Sequence, residues 1–127
     1  RQRIEAIKAG IPAREGKRFL AALALPTGLA LAALNLSPAT INRRSAAGQP
    51  LSPTDSERLL GMARLVSQVE TMVADSGRAE GFDALAWVSH WLREPVPALD
   101  GKRPLDLMDT MEGQALVSET LARMQSG

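Results

Sequence analysis

The sequence contains no cysteine and a single histidine, His90. Without thiols neither a disulfide framework nor a Cys-based zinc site can form, and the redox compartment is left open. One imidazole also argues against a His-based metal site. Equally missing are the patterns that bring chemistry to a loop. The ten glycines never fall into GxGxxG or phosphate-loop order, and no serine occupies a nucleophile elbow. His90, on a helix between two tryptophans, reads as a packing or surface histidine rather than a general base. Asp106 and Asp109, three apart, could share a face as a carboxylate pair, but solvated helix charges account for them more simply. No enzyme activity, cofactor or metal site is expected. No stretch alternates convincingly enough for a strand.

Long apolar runs are also scarce. Residues 19 to 36 form 18 consecutive positions without a charge, the lower limit for a membrane span. Six of them are weakly apolar alanines, Pro26-Thr27-Gly28 interrupts the middle and Asn35 lies near the end. Two short buried helices explain the run better, and no membrane partner is expected.

What is present is a core and a charge split. Of the 127 residues 45% are hydrophobic, enough for one domain or two small ones. The net charge of +1 conceals ten Lys or Arg against four Asp or Glu up to residue 64, and five against ten from residue 65 onward. The first part suits a polyanion; the second suits a protein surface or a basic cleft. The chain starts at Arg1 rather than at a methionine, so its native N-terminus is expected to lie further upstream.

The best-formed motif runs from Thr27 to Arg44. Leu29 to Leu34 reads as an apolar helix, and Asn35 as the residue that tolerates a left-handed turn. Ser37 can cap the next helix while Pro38 takes its first position, where a missing N–H costs nothing. Two helices joined this tightly have the outline of a helix-turn-helix, whose second helix enters the DNA major groove. In the usual register Ser37, Pro38, Ala39, Asn42 and Arg43 face outward and Ile41 packs against Leu31 or Leu34. Pro38 and Ala39 offer no polar side-chain group. Base readout then rests mainly on Asn42 and Arg43, with Arg44, Thr40 and helix amides holding phosphates. The expected DNA-binding set is Ser37, Ala39, Thr40, Asn42, Arg43 and Arg44. So few readers imply modest affinity per monomer and a dimer on two half-sites.

Around this motif the chain reads as all-α. Ile4, Ile7 and Ile11 mark a short helix over Arg1 to Ala9. Pro12 opens another, with Phe19, Leu20 and Leu23 inward and Arg14, Lys17 and Arg18 outward. Ser52-Pro53-Thr54-Asp55 repeats the Ser-Pro device and starts a long helix to about Ala74. Its stripe of Leu59, Met62, Val66, Val69 and Val73 fits a coiled-coil seam or an intramolecular core, and the core reading is preferred. Asp75 to Gly81 is the expected boundary, giving a helix-turn-helix domain over 1–76 and a small helical unit over 77–127. In that unit Asp83 to Arg93 reads as a helix with Trp87 and Trp91 one turn apart, Pro95 to Pro97 as extended chain, and Asp100-Gly101 as a turn. A short helix is expected from Pro104, and a last one capped by Thr110 with Val117, Leu121 and Met124 inward. The tryptophans are either core or, in so small a unit, partly exposed interface anchors.

Several pieces taken together carry a resemblance. They are Thr40-Ile-Asn-Arg-Arg44, Leu51-Ser-Pro-Thr-Asp-Ser-Glu-Arg-Leu-Leu60, Trp91-Leu92, Pro97-Ala-Leu99, Gly101, Pro104-Leu-Asp-Leu107, Thr110 and Gly113. In order and spacing they resemble the Xre/ParS/MbcA-type antitoxins over nearly the whole chain. Asn35 departs from the glycine that such turns usually carry.

The resemblance implies a cytoplasmic bacterial type II antitoxin with an all-helical DNA-binding domain followed by a toxin-binding one. Its cognate toxin would be a RES-domain protein that consumes NAD or transfers ADP-ribose. Arg43 and Arg44 correspond to the family's arginine pair and would serve operator binding and autorepression. The segment from Trp91 to Gly127 would cover the toxin, with its end approaching the active-site cleft. The toxin-binding residues implied are Trp87, Trp91, Pro97, Leu99, Pro104, Leu105, Gly113, Met124, Ser126 and Gly127. A homodimer or toxin–antitoxin hetero-oligomer is expected. The competing reading is a free-standing dimeric helix-turn-helix repressor without a toxin partner.

Overall fold

The computed structural model describes residues 9–126. The helix expected over residues 1–9 lies, but for its last residue, outside the described residues. Six helices and two 3-10 turns follow: α1 (Ala13–Ala22), α2 (Thr27–Ala33), α3 (Pro38–Ala46), α4 (Pro53–Asp75), α5 (Ala84–Trp91), the 3-10 turns Pro97–Leu99 and Pro104–Leu107, and α6 (Met111–Ser126). Among the described residues the only extended pairing is an isolated bridge between Pro12 and Pro50, so the all-α expectation holds.

The helix ends are decided by local chemistry. The Ser37 hydroxyl accepts the Thr40 amide at 3.2 Å and the Ser52 hydroxyl accepts the Asp55 amide at 3.1 Å, each with proline next in line. Asp83 and Thr110 play the same part for α5 and α6, accepting the Ala86 and Gly113 amides. These oxygens satisfy donors that a helix start leaves without a partner. At the end of α2, Asn35 adopts φ 53°. The Leu36 amide then reaches the Leu31 carbonyl at 2.8 Å, and the Asn35 amide that of Ala32 at 3.0 Å. This paired closure is the Schellman arrangement. Asn35 fills the place of the usual glycine because its short side chain tolerates the left-handed region.

Helix α4 is the spine. Leu59, Met62, Leu65, Val66 and Val69 are buried, in one continuous cluster with Leu20 of α1, Leu31 of α2, Ile41 of α3, Val88 and Trp91 of α5, Leu105, and Val117 and Leu121 of α6. The heptad-like stripe therefore faces this chain's own core. Each such side chain contributes about 1.5–3 kcal/mol by leaving water. The apolar contacts do not stop at the exposed turn over residues 76–81; helices from both sides of it pack on α4.

Buried polar side chains tie distant segments together. Ser56 accepts the Ile11 amide at 2.9 Å. Ser89 accepts the Ala24 amide at 3.0 Å and donates to the Leu85 carbonyl at 2.6 Å. Gln114 Nε2 donates to the carbonyls of Arg58 (3.0 Å) and Met108 (2.9 Å), linking α4, the second 3-10 turn and α6. Gln68 and Ser118, both half-buried, exchange two further bonds between α4 and α6.

Three local expectations need correction. Helix α5 stops at Trp91, shorter than the expected run to Arg93. The chain from Pro95 is extended only through Val96, because Pro97 has the φ that starts a 3-10 turn, which Asp100 and Gly101 close at φ 57° and 76°. Met124 is 49% exposed rather than inward. Gln114 covers Gly61 and Gln68 meets Ser118, so α4 and α6 run the same way. The last turn of α6 arrives opposite the end of α4, where Met72 and Val73 are only half-buried and Ala74 is exposed.

Candidate functional site

Two exposed surfaces carry the charge split. The first lies on α3 and α1. Ser37, Pro38, Ala39, Asn42 and Arg43 are exposed, while Ile41 and Ser45 are buried. The α3 surface is thus the one expected to meet DNA. Thr40 and Arg44 are half-buried, and the Arg44 guanidinium donates to the Pro50 carbonyl at 2.9 Å. That bond braces the loop after α3, so Arg44 is less free to reach outward than Arg43. Beside α3 runs an open cleft of about 480 Å³, lined by Arg14, Lys17, Arg18 and Ala21 from α1 and by Asn42, Ser45 and Ala46 from α3. Arg14 Nε donates to the Ser45 carbonyl at 2.9 Å, fastening the two helices together. Sequence reasoning placed the α1 cations outward but did not connect them with α3; their three- and four-residue spacing was the available signal.

The second surface belongs to α6. Met111, Glu112, Ala115, Leu116 and Glu119 are exposed, opposite the buried line of Gln114, Val117 and Leu121. Leu116 keeps 42% of its surface in water. It borders a shallow hollow of about 490 Å³ with Thr110, Glu112, Gly113, Ala115 and Glu119. Of the two carboxylates beside it, Glu119 accepts from the Arg123 guanidinium one turn on, so the face is an apolar centre with a charged rim, which suits a protein partner. Leu116 was missed because it lies one position off the Val117–Leu121 stripe, where its type alone did not say which way it points.

The residues expected to meet a protein partner divide sharply. Trp91, Leu99, Pro104 and Leu105 are buried in the chain's own interior. Trp87 is half-buried and stacks on Trp91 with ring centroids 6.0 Å apart and planes 12° apart, so the pair makes a platform with one outer ring. Pro97 and Met124 are exposed. Gly113 has a packing reason: a Cβ there would fall on the Leu107 carbonyl and lie 2.9 Å from the Thr110 hydroxyl. Ser126 ends α6, and Gly127 lies outside the described residues.

The ion pairs join residues three or four apart. Asp106 receives two bonds from Arg103, at 2.7 and 3.1 Å. Those hydrogen bonds, with the guanidinium charge, hold its carboxyl below the usual range, against an opposing desolvation effect. Asp106 is therefore half of an ion pair rather than a partner for Asp109. His90 is largely exposed and meets Glu94, four positions on and past the end of α5, at 2.6 Å. No group of three or more metal-ligating side chains occurs among the described residues. No helix among them is long and apolar enough to cross a membrane.

Comparison with known proteins adds the family. Residues 2–64 match the Antitoxin Xre-like helix-turn-helix domain, the part that contains α1 to α3. Residues 80–127 match the Antitoxin Xre/MbcA/ParS C-terminal toxin-binding domain, the part that contains α5 and α6. The chain is similar to the Prs ADP-ribosylating antitoxin of Sphingobium sp. (strain YBL2), with 56% identity over 125 residues, 98% of this chain and 79% of that one. It is also similar to Antitoxin Xre of Pseudomonas putida, with 26% identity over 88 residues, 69% of this chain and half of the relative's length. A helix-turn-helix with an exposed α3, followed by a helical unit of the toxin-binding type, places this chain in the Xre/MbcA/ParS family of antitoxins.

Proposed function

We propose that this antitoxin neutralises a RES-type toxin, one that consumes NAD or transfers ADP-ribose, by covering its active site with the segment from Trp91 to Gly127, chiefly through the outer face of α6. It also represses its own operon through α3. The observation that carries the reading is the exposed face of α6, where Leu116 lies between Glu112 and Glu119 within the toxin-binding match. The toxin class is supported by the name of the Sphingobium relative, which refers to ADP-ribosylation. Operator binding is supported by the outward Asn42 and Arg43 within the helix-turn-helix match. Two copies on two half-sites would supply the affinity that one short recognition helix lacks. Trp91, Leu99, Pro104 and Leu105 then act from beneath, holding the contact surface rather than forming it.

Co-expression with the toxin encoded beside it tests the reading. Leu116→Asp should weaken toxin binding at least tenfold and abolish growth rescue while retaining promoter binding. Arg43→Ala should do the reverse. Full rescue by Leu116→Asp would overturn the assignment of the α6 face. Point variants are the right tool because the core is continuous across the two units; a chain cut after α4 would expose Val66 and Val69.

A further inference from the structure

We infer that the cleft between α1 and α3 is a phosphate clamp, in which Arg14, Lys17 and Arg18 hold one DNA strand beside the groove that α3 enters. The inference rests on the DNA-binding reading above and extends it to residues on a different helix.

The first observation concerns α2. In a helix-turn-helix the first helix of the motif crosses the sugar–phosphate backbone. Here that helix is Thr-Gly-Leu-Ala-Leu-Ala-Ala, without one charged residue. Backbone contacts supply much of the affinity for DNA, so the cations must come from elsewhere. On α1, Arg14, Lys17 and Arg18 stand three and four apart on the exposed surface, where like charges repel by a few tenths of a kcal/mol per pair. A polyanion turns that repulsion into attraction.

The second observation is the cleft itself. One wall carries the three cations, the other is α3, and no carboxylate lines it. Glu15, the acid of α1, lines a different hollow with Ile11 and Phe19. Ala21 and Ala46 leave room for a chain to approach. Arg14 is fixed through Nε on the Ser45 carbonyl, which leaves its two terminal nitrogens as donors for phosphate oxygens. Lys17 and Arg18 have no ion-pair partner among the described residues. Asn42 belongs both to this cleft and to the outward face of α3, so a strand flanking the groove read by α3 passes the cations.

The test uses the full chain and two duplexes, one from the region upstream of its own gene and one scrambled to the same composition. Titrations are repeated over a range of salt. The double replacement Lys17→Ala/Arg18→Ala should weaken binding to both duplexes by the same factor. It should also reduce the slope of log K against log salt by about 2, close to one for each phosphate no longer neutralised. Lys17→Arg/Arg18→Lys should restore both, which separates charge from folding. Arg78→Ala, in the turn after α4, should leave the slope unchanged. An unchanged slope in the double variant overturns the clamp while leaving DNA binding by α3 intact, and so does an equal drop with Arg78→Ala. Failure of the unmodified chain to bind either duplex overturns both readings.

Discussion

Replacing Gly61 by alanine should destabilise this protein, although alanine is the better helix former by about 1 kcal/mol. Gly61 is buried near the middle of α4, and the Gln114 amide of α6 lies directly over it. A Cβ at position 61 would overlap the Gln114 Oε1 and lie 2.5 Å from Cδ and 3.0 Å from Nε2. The amide cannot simply swing away. Gln114 is only 3% exposed, and its Nε2 is engaged by the Arg58 and Met108 carbonyls. Its Oε1 has no conventional hydrogen-bond partner and points at the glycine, where a Cα–H supplies a weak one. Displacing the amide forfeits two hydrogen bonds at about 1 kcal/mol each and crowds a packed interior for a further ~1 kcal/mol or more. Set against the helix-propensity gain, the net loss is about 2 kcal/mol. Urea denaturation of Gly61→Ala, Gln114→Ala and the double variant measures it. Once the amide is gone, Gly61→Ala should become neutral or stabilising by up to about 1 kcal/mol, giving a coupling energy of about 2–3 kcal/mol. Equal effects of Gly61→Ala in both backgrounds would refute the reasoning.

Three other outcomes are expected. Ser89→Ala leaves the Ala24 amide without its acceptor and should cost about 1–2 kcal/mol, with faster hydrogen exchange at Ala24 as the local readout. At Asn35, with φ 53°, glycine should be neutral or slightly stabilising, whereas Asn35→Val should lower stability by about 1–2 kcal/mol in the same denaturation assay. Asp106 has its carboxyl held below the ordinary value near 3.8, so its contribution is present above that value and disappears as pH falls through the lowered one. Asp106→Asn should therefore be less stable than the parent at neutral pH and indistinguishable from it in strong acid, as read by thermal midpoints against pH. A gap that widens toward acid would contradict the assignment.

Much of the fold was legible because helix ends are decided within a few residues. The two Ser-Pro starts, the cap at Thr110 and the left-handed Asn35 all depend on partners only three to five positions away along the chain. The outward face of α3 was legible too, since a short helix with one large apolar residue, Ile41, has one way to face its neighbour. The C-terminal unit was harder. Trp91, Leu99, Pro104 and Leu105 carry the resemblance to the antitoxins, yet they are interior residues, and a residue's recurrence in a pattern does not distinguish a contact from its support.

The sequence by itself determined the all-helical class, the helix-turn-helix and the order of elements that marks the antitoxin family, because capping, turn chemistry and periodicity act over a few neighbouring residues. Only the tertiary structure decided which residues reach the outside. That Leu116 and Met124 are exposed, that Gly61 lies beneath Gln114, and that Arg14, Lys17 and Arg18 share a cleft with Asn42 all depend on which helix arrives opposite. Burial is a property of pairs of segments distant along the chain, and no local pattern contains the partner.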